Sequence, residues 1–221
     1  EIEGLFRQDA AALTGRIRID MPNILARRVV MPRLPEFMAQ HPHLELEISS
    51  TDRRVDLLGE GFDCVVRVGA QPDQSVVARH LCDFVMVNCA SPAYLQRYGV
   101  PERLEDLAHH RLVHYVGVLG SRPEGFVYEV DGQSHQVPMA GSVTVNSTDC
   151  YESACLGGFG LIQAPRAGMT PHLLSGELVA VLPQFNAPSL RVSLLYARQR
   201  HLPLRVRAFM DWLGQVILPT T

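Results

Sequence analysis

Residues 15–50 read GRIRIDMPNILARRVVMPRLPEFMAQHPHLELEISS. Arg16-Ile17-Arg18-Ile19-Asp20 alternates polar and apolar residues, and a period of two marks a strand with one buried face. Met21-Pro22-Asn23 breaks the alternation. From Ile24 the spacing turns helical, with Leu25, Val29, Leu34, Phe37 and Met38 on one stripe. His41-Pro42 closes that segment, and Leu44-Glu45-Leu46-Glu47-Ile48 alternates again. A strand, a helix and a strand in so short a span predict a parallel pair joined by a right-handed crossover. Ligands of open α/β sheets lie outside the carboxyl ends of such strands. Here those ends are Met21-Pro22-Asn23 and Ser49-Ser50-Thr51.

Pro32 and Pro35 lack an N–H, so the carbonyls of Arg28 and Met31 lose their usual partners. The segment is either two shorter helices or one helix kinked near Pro32. The apolar stripe runs in phase through Leu34, Phe37 and Met38, which favours the single kinked helix.

The 221 residues allow one domain or two small ones, and 47% apolar residues supply a sizeable core. A net charge of −3 lacks the basic balance of a nucleic-acid-binding domain. Local arginines at 16, 18, 27, 28, 33, 53 and 54 read as a solvated face. No apolar run is long enough for a membrane span, and no signal peptide is visible. The five cysteines are odd in number and contain no C-x-x-C pair, so neither a disulfide framework nor a zinc site is expected. Most fit small buried hydrophobes in a reducing compartment.

Further along, residues 1–14 have helical composition and end before Gly15. Residues 53–59 fit one or two helical turns with Val55, Leu57 and Leu58 inward. Asp63-Cys64-Val65-Val66-Arg67-Val68-Gly69 reads as a buried strand carrying one charge. Ser91-Pro92 opens a helix, and Asp131-Gly132 marks a hairpin between 126–130 and 133–138. Ser147, Thr148 or Asp149 can cap a helix, with Asp149 and Glu152 as a box variant. Residues 178–182 and 190–196 read as strands and 204–217 as an amphipathic helix. Strand–helix–strand units in both 15–90 and 142–196 suit two α/β subdomains.

No catalytic signature is present: G-x-S-x-G and H-E-x-x-H are both absent. Gly157-Gly158-Phe159-Gly160 follows a helix instead of opening one and lacks the lysine of a phosphate loop. The helix start at 146–149 can offer N–H groups to an anion. Arg67 on an apolar strand needs a partner: a structural carboxylate such as Asp20, Asp52 or Asp63, or a ligand carboxylate.

Together these pieces resemble the effector-binding domain of LysR-type transcriptional regulators. They are G-R-I-R-I at Gly15, M-P-R-L-P-E-F at Met31, H-P at His41, D-C-V-V-R-V-G at Asp63, S-P-A-Y-L at Ser91, the N-S-T-D helix start and G-G-F-G-L at Gly157. The resemblance implies an α/β fold like type 2 periplasmic binding proteins, with two subdomains joined by two crossover strands and a ligand cleft between. Subdomain I would be 15–82 with 190–217, and subdomain II 83–189. Residues 1–14 would end a linker helix, and 218–221 would be a tail. The winged helix-turn-helix that binds DNA in the family would lie upstream of this chain.

By the same resemblance an effector would meet Met21, Pro22, Asn23, Ser50, Thr51, Arg67, Val68, Gly69, Val116, Asn146, Ser147 and Thr148. By that resemblance many members sense small carboxylates or aromatics through a Ser or Thr in the first turn, which here reads Met-Pro-Asn. A two-fold dimer would use Val30, Met31, Cys150 and Ser153, with tetramers open to the full-length protein. The expectation is a cytoplasmic effector-sensing domain of a transcriptional regulator. It would be no enzyme, would carry no cofactor or metal, would contact no membrane, and would reach DNA only through its other domain. The alternative of the same fold is a periplasmic solute-binding protein of a transporter.

Overall fold

The computed structural model describes residues 13–53, 55–69, 75–198 and 201–217. The expected linker helix at 1–14 and the tail at 218–221 fall almost wholly outside these. The chain divides into two compact units. Unit 1 comprises 1–51, 55–82 and 192–218; unit 2 comprises 52–54, 83–191 and 219–221.

Unit 1 is organised by the crossover legible at residues 15–50. Strand β1 (Gly15–Met21) runs parallel to β2 (Leu44–Ser50) in the register Gly15↔Leu44 to Met21↔Ser50. Its other neighbour is β3 (Cys64–Val68), also parallel. Strands β4 (Val76–Phe84) and β12 (Leu190–Ala197) complete the order β2-β1-β3-β12-β4, with β12 antiparallel to β3. The alternation of β1 works as expected on one face: Ile17, Ile19 and Met21 have no exposed surface. Asp20, on the polar phase of that pattern, is equally buried.

The crossover is helical without a break from 23 to 40. It comprises α1 (Asn23–Leu25), a π-helical turn at Ala26–Val30, and α2 (Met31–Gln40). Met31 N–H bonds to the carbonyl of Ala26, five residues back. The wide turn sits just ahead of Pro32, which cannot supply the N–H that Arg28 would use in a regular helix. The insertion rotates the phase of the stripe, so Val30 is buried and Met31 is 45% exposed. Phe37 meets Phe209 of α6 (Leu204–Val216) edge-on at 5.2 Å. Among the turns at 57–61 Leu57 is buried, whereas Leu58 is exposed, against expectation. A single turn has no stripe to enforce its facing.

Unit 2 carries β5 (Met86–Ala90) at the centre of an antiparallel sheet, between β10 (Ile162–Pro165) and β11 (Val179–Ala180). Its helices are α3 (Pro92–Tyr98), α4 (Thr148–Leu156) and α5 (Arg166–Ser175). Short strands β6 (His114–Tyr115) and β9 (Thr144–Val145) pair in parallel. The hairpin β7 (Phe126–Val130) and β8 (Gln133–Val137) turns at Asp131 (φ 51°) and Gly132 (φ 75°), the two positive φ angles that Asp-Gly foretells. The expected strand at 178–182 is realised as Val179–Ala180, with one more bond from Val181 N–H to Asn88 O at 3.0 Å, and Leu182 takes φ 46°.

Among the described residues the unit 2 core shows two clusters. One is built on Tyr94, Leu107, Phe126 and Leu161, the other on Val87, Cys89, Cys155, Ile162 and Leu178. A polar bridge joins β5, β7 and β10. Gln163 Nε2 donates to Asn88 Oδ1 (2.8 Å) and Val127 O (2.7 Å), and Val127 N–H returns to Gln163 Oε1 (2.8 Å).

Candidate functional site

In unit 1 the parallel strands β1, β2 and β3 deliver their carboxyl ends side by side, as the register Met21↔Ser50 and Asp20↔Val65 requires. Arg67 projects from the end of β3 and pairs with Asp20 through Nη2. Its Nη1 donates to the carbonyl of Val66 at 2.6 Å. Thr51 gives its hydroxyl to both oxygens of Asp20, at 3.1 and 3.3 Å, and its N–H to Met21 O at 3.0 Å. Ser50 donates to Asn23 Oδ1 at 2.7 Å. Of the alternatives for Arg67, the structural carboxylate is the one realised. The guanidinium is 11% exposed and Asp20 is not exposed at all, so each charge depends on the other for compensation.

In unit 2 the start of α4 is held by a carboxylate from far along the chain. Thr148 donates its backbone N–H (2.7 Å) and its hydroxyl (2.9 Å) to the same Asp52 Oδ2. Ser147 is the N-cap residue but makes no side-chain cap bond, so the expected local cap is replaced by Asp52. Carboxylates suit helix starts because unsatisfied N–H groups and the helix dipole both favour negative charge. Burial and the charge of Asp52 push the Tyr115 hydroxyl up to about 12. Tyr115 packs edge-on against Tyr151 at 5.6 Å. Val116, two residues past His114, donates its N–H to Val145 O at 2.9 Å and is buried.

Each unit thus gathers its own share of the expected residues: Asn23, Ser50, Thr51 and Arg67–Gly69 in unit 1, and Asn146–Thr148 in unit 2. Met21 is a correction. It has no exposed surface, belongs to the core and offers a ligand only its already bonded carbonyl. Pro22 and Val116 are likewise buried. Val30 is a second correction: it is wholly buried inside unit 1, so it has no surface for a partner subunit. Met31, Cys150 and Ser153 are exposed.

Sequence reasoning missed Asp52 and Tyr115. Asp52 entered only as a partner for Arg67, because a contact spanning 96 positions leaves no local pattern. Two shallow depressions lie elsewhere in unit 2. One of about 280 Å³ is lined by Val100, Pro101, Val181 and Pro183 among others, and one of about 420 Å³ by Tyr98, Arg103, Asp106 and His110 among others. Neither contains an expected site residue. Among the described residues no group of three or more His, Cys, Asp or Glu could hold a metal ion.

Residues 10–217 match the family described as the LysR substrate binding domain. The chain belongs to the LysR-type regulators. Over 218 residues it is 47% identical to the HTH-type transcriptional regulator YhjC of Escherichia coli K12, covering 98% of this chain and 73% of that protein. It is 36% identical to an HTH-type transcriptional repressor of Pseudomonas aeruginosa, covering 98% and 68%. Among solved structures it resembles the full-length Vibrio cholerae virulence activator AphB, with a TM-score of 0.77, 28% identity, and coverage of 92% of this chain and 69% of that one. The regulatory domain of CrgA from Neisseria meningitidis shares the fold, with a TM-score of 0.78, 24% identity, and coverage of 92% and 98%.

The fold is therefore that of LysR regulatory domains, of the type 2 periplasmic-binding-protein class. The chain is a LysR-type effector-binding domain, and its relatives are transcriptional regulators; this sets aside the transporter alternative. LysR-type regulators bind small-molecule effectors and oligomerise. Among the described residues no helix is long and apolar enough to cross a membrane.

Proposed function

We propose that this domain senses a small-molecule effector through Asn23, Ser50, Thr51 and Arg67–Gly69 of unit 1 together with Asn146–Thr148 of unit 2. It passes the signal to a helix-turn-helix domain of the same regulator. The observation that carries the reading is the match over residues 10–217 to a domain described by substrate binding, together with relatives described as HTH-type transcriptional regulators. The polar side chains at the ends of three parallel strands support it, since that is where open α/β sheets receive ligands. The regulator works in the cytoplasm as a homodimer or tetramer and catalyses no reaction. Exposed Met31, Cys150 and Ser153 contribute to the dimer contact, and DNA is contacted by the helix-turn-helix domain. A ligand shifts such a system only by its differential affinity for two states, and couplings of this kind are typically about 1–3 kcal/mol.

The test is a thermal-shift screen of this chain against a metabolite collection. Gel shifts of the full-length regulator on the region upstream of its own gene follow, with and without each hit. The reading expects a saturable stabiliser that changes the DNA complex. Stabilisers that leave the DNA complex unchanged would contradict it.

A further inference from the structure

The short parallel pair β6–β9 stands directly ahead of the residues read above as the effector's wall in unit 2. Strand β9 runs on into Asn146–Thr148 and the start of α4. Few bonds hold the pair. His114 N–H donates to Val143 O and Val116 N–H to Val145 O, both at 2.9 Å. The register covers two residue pairs, His114↔Thr144 and Tyr115↔Val145. His114 itself carries an unmet bond: its Nδ1 is buried and has no hydrogen-bond partner among the described residues. We infer that β6–β9 is a pH-sensitive clasp: a proton taken up by His114 opens the pair and loosens the unit 2 wall. That this wall meets an effector rests on the reading above; the clasp itself does not.

The geometry leaves the fold no place for an imidazolium. A Cβ on Gly141 would lie 2.6 Å from His114 Nε2, 2.7 Å from Cδ2 and 2.2 Å from Leu112 O, so the ring lies directly against the Gly141 backbone. Protonated histidine donates from both ring nitrogens, and Nδ1 has no acceptor in reach. A buried charge without a partner is costly, so His114 gains a proton only by leaving this site. No opposite charge softens that cost. Segments 140–145 and 160–162, which bond to residues 111–116, contain no titratable side chain. In the hairpin β7–β8, Glu129, Asp131 and His135 are exposed. Beside His114 in sequence, Arg111 is an exposed cation and Tyr115 is held neutral, its hydroxyl pushed up to about 12. Burial alone lowers the pKa of His114. Buried His110 differs: its Nδ1 is hydrogen-bonded to the Tyr94 hydroxyl at 3.1 Å, and Asp106 offsets part of its burial. A histidine lowered in the fold contributes stability that is present above its unfolded value of about 6.5 and is lost as pH falls through the folded value. The clasp is therefore shut at neutral pH and opens in mild acid.

The experiment follows amide hydrogen exchange of the ¹⁵N-labelled chain by NMR between about pH 7 and about pH 5, with rates corrected for the intrinsic effect of pH. Protection of the His114 and Val116 amides should fall below about pH 6.5, by up to about tenfold per pH unit for one proton taken up. The Val181 amide, bonded to Asn88 O at 3.0 Å, should keep its protection. His114→Asn takes up no proton and should flatten the fall at Val116. The His114 ring of the parent should titrate below its ordinary value in the same series, and this reading needs no variant. Constant protection at His114 and Val116 would overturn the clasp, as would an equal loss at Val181, which marks acid unfolding of the whole unit. A fall that persists in folded His114→Asn, or a His114 ring that titrates at or above about 6.5, would overturn it as well. If the variant does not fold, the ring titration and the comparison with Val181 decide within the parent. None of these readings needs an effector, so a metabolite screen without a binder counts against the effector's wall and leaves the clasp standing.

Discussion

Arg67 and Asp20 form a charge pair at the end of the central sheet of unit 1, with Asp20 wholly without solvent contact and Arg67 nearly so. Parallel pairing fixes the arrangement: Asp20 lies beside Val65 in register, two residues before Arg67. A buried pair of this kind is weak evidence of stability, but breaking it is costly. Asp20→Asn should therefore destabilise the domain by about 3–5 kcal/mol, measured by urea unfolding. Combining it with Arg67→Met should recover most of the loss. A single variant as stable as the parent would show that the pair is not buried in solution.

Val30 and Met31 are adjacent in sequence and opposite in fate. Val30→Asp places a carboxylate in the core and should cost about 4 kcal/mol or more, seen as a collapse of the thermal transition. Met31→Asp should change stability by no more than about 0.5 kcal/mol while shifting sedimentation toward monomer. A folded, monomeric Val30→Asp would reverse this assignment.

His172 joins α4 to the end of α5. Its Nδ1 faces Glu177 at 3.0 Å and its Nε2 faces Glu152 at 2.8 Å. Hydrogen bonds to Glu177 and then to Glu152 raise its pKa. A raised histidine stabilises the fold fully below its unfolded value of about 6.5 and loses that contribution as pH climbs through the folded value. Buried His114 and His110 are shifted down by desolvation and act in the opposite direction, so the comparison must be made within a variant series. Glu152→Gln should cost about 1–2 kcal/mol near pH 6, and the difference from the parent should fade toward pH 9. A pH-independent difference would rule out the charged latch.

With a net charge of −3 this chain lacks the electrostatic footprint of a DNA-binding domain. In a gel shift on the region upstream of its gene it should give no sequence-specific complex. A salt-resistant specific shift by the chain alone would contradict this.

What was legible in the sequence was whatever repeats locally. The alternation of β1 and β2 and the helical run between them follow from periods of 2 and 3.6, and Asp131-Gly132 declared its hairpin. Phase was lost where the helix departs from the regular period. With the π turn at Ala26–Val30, Val30 faces inward, against the facing assumed for the dimer, while Met31 faces outward as assumed. Residues 178–182 read as a strand by composition, yet strand pairing depends on a neighbour: Val179–Ala180 pair with β5 and Val181 adds one bond to Asn88, where the strand ends. Within the candidate site, Arg67 announced its need for a carboxylate, and the register supplied Asp20. The seat at Thr148 was legible as a helix start, but its occupant Asp52 was not, because tertiary structure alone brings the two together.

The central claim is that an effector is received at the strand ends of unit 1 and at the start of α4. Amide chemical-shift mapping of the ¹⁵N-labelled chain with the strongest hit from the metabolite screen tests it most directly. The account predicts saturable shifts at Asn23, Thr51, Arg67, Asn146 and Thr148. Shifts confined to the residues lining the two depressions at 98–110 and 180–184 would contradict it.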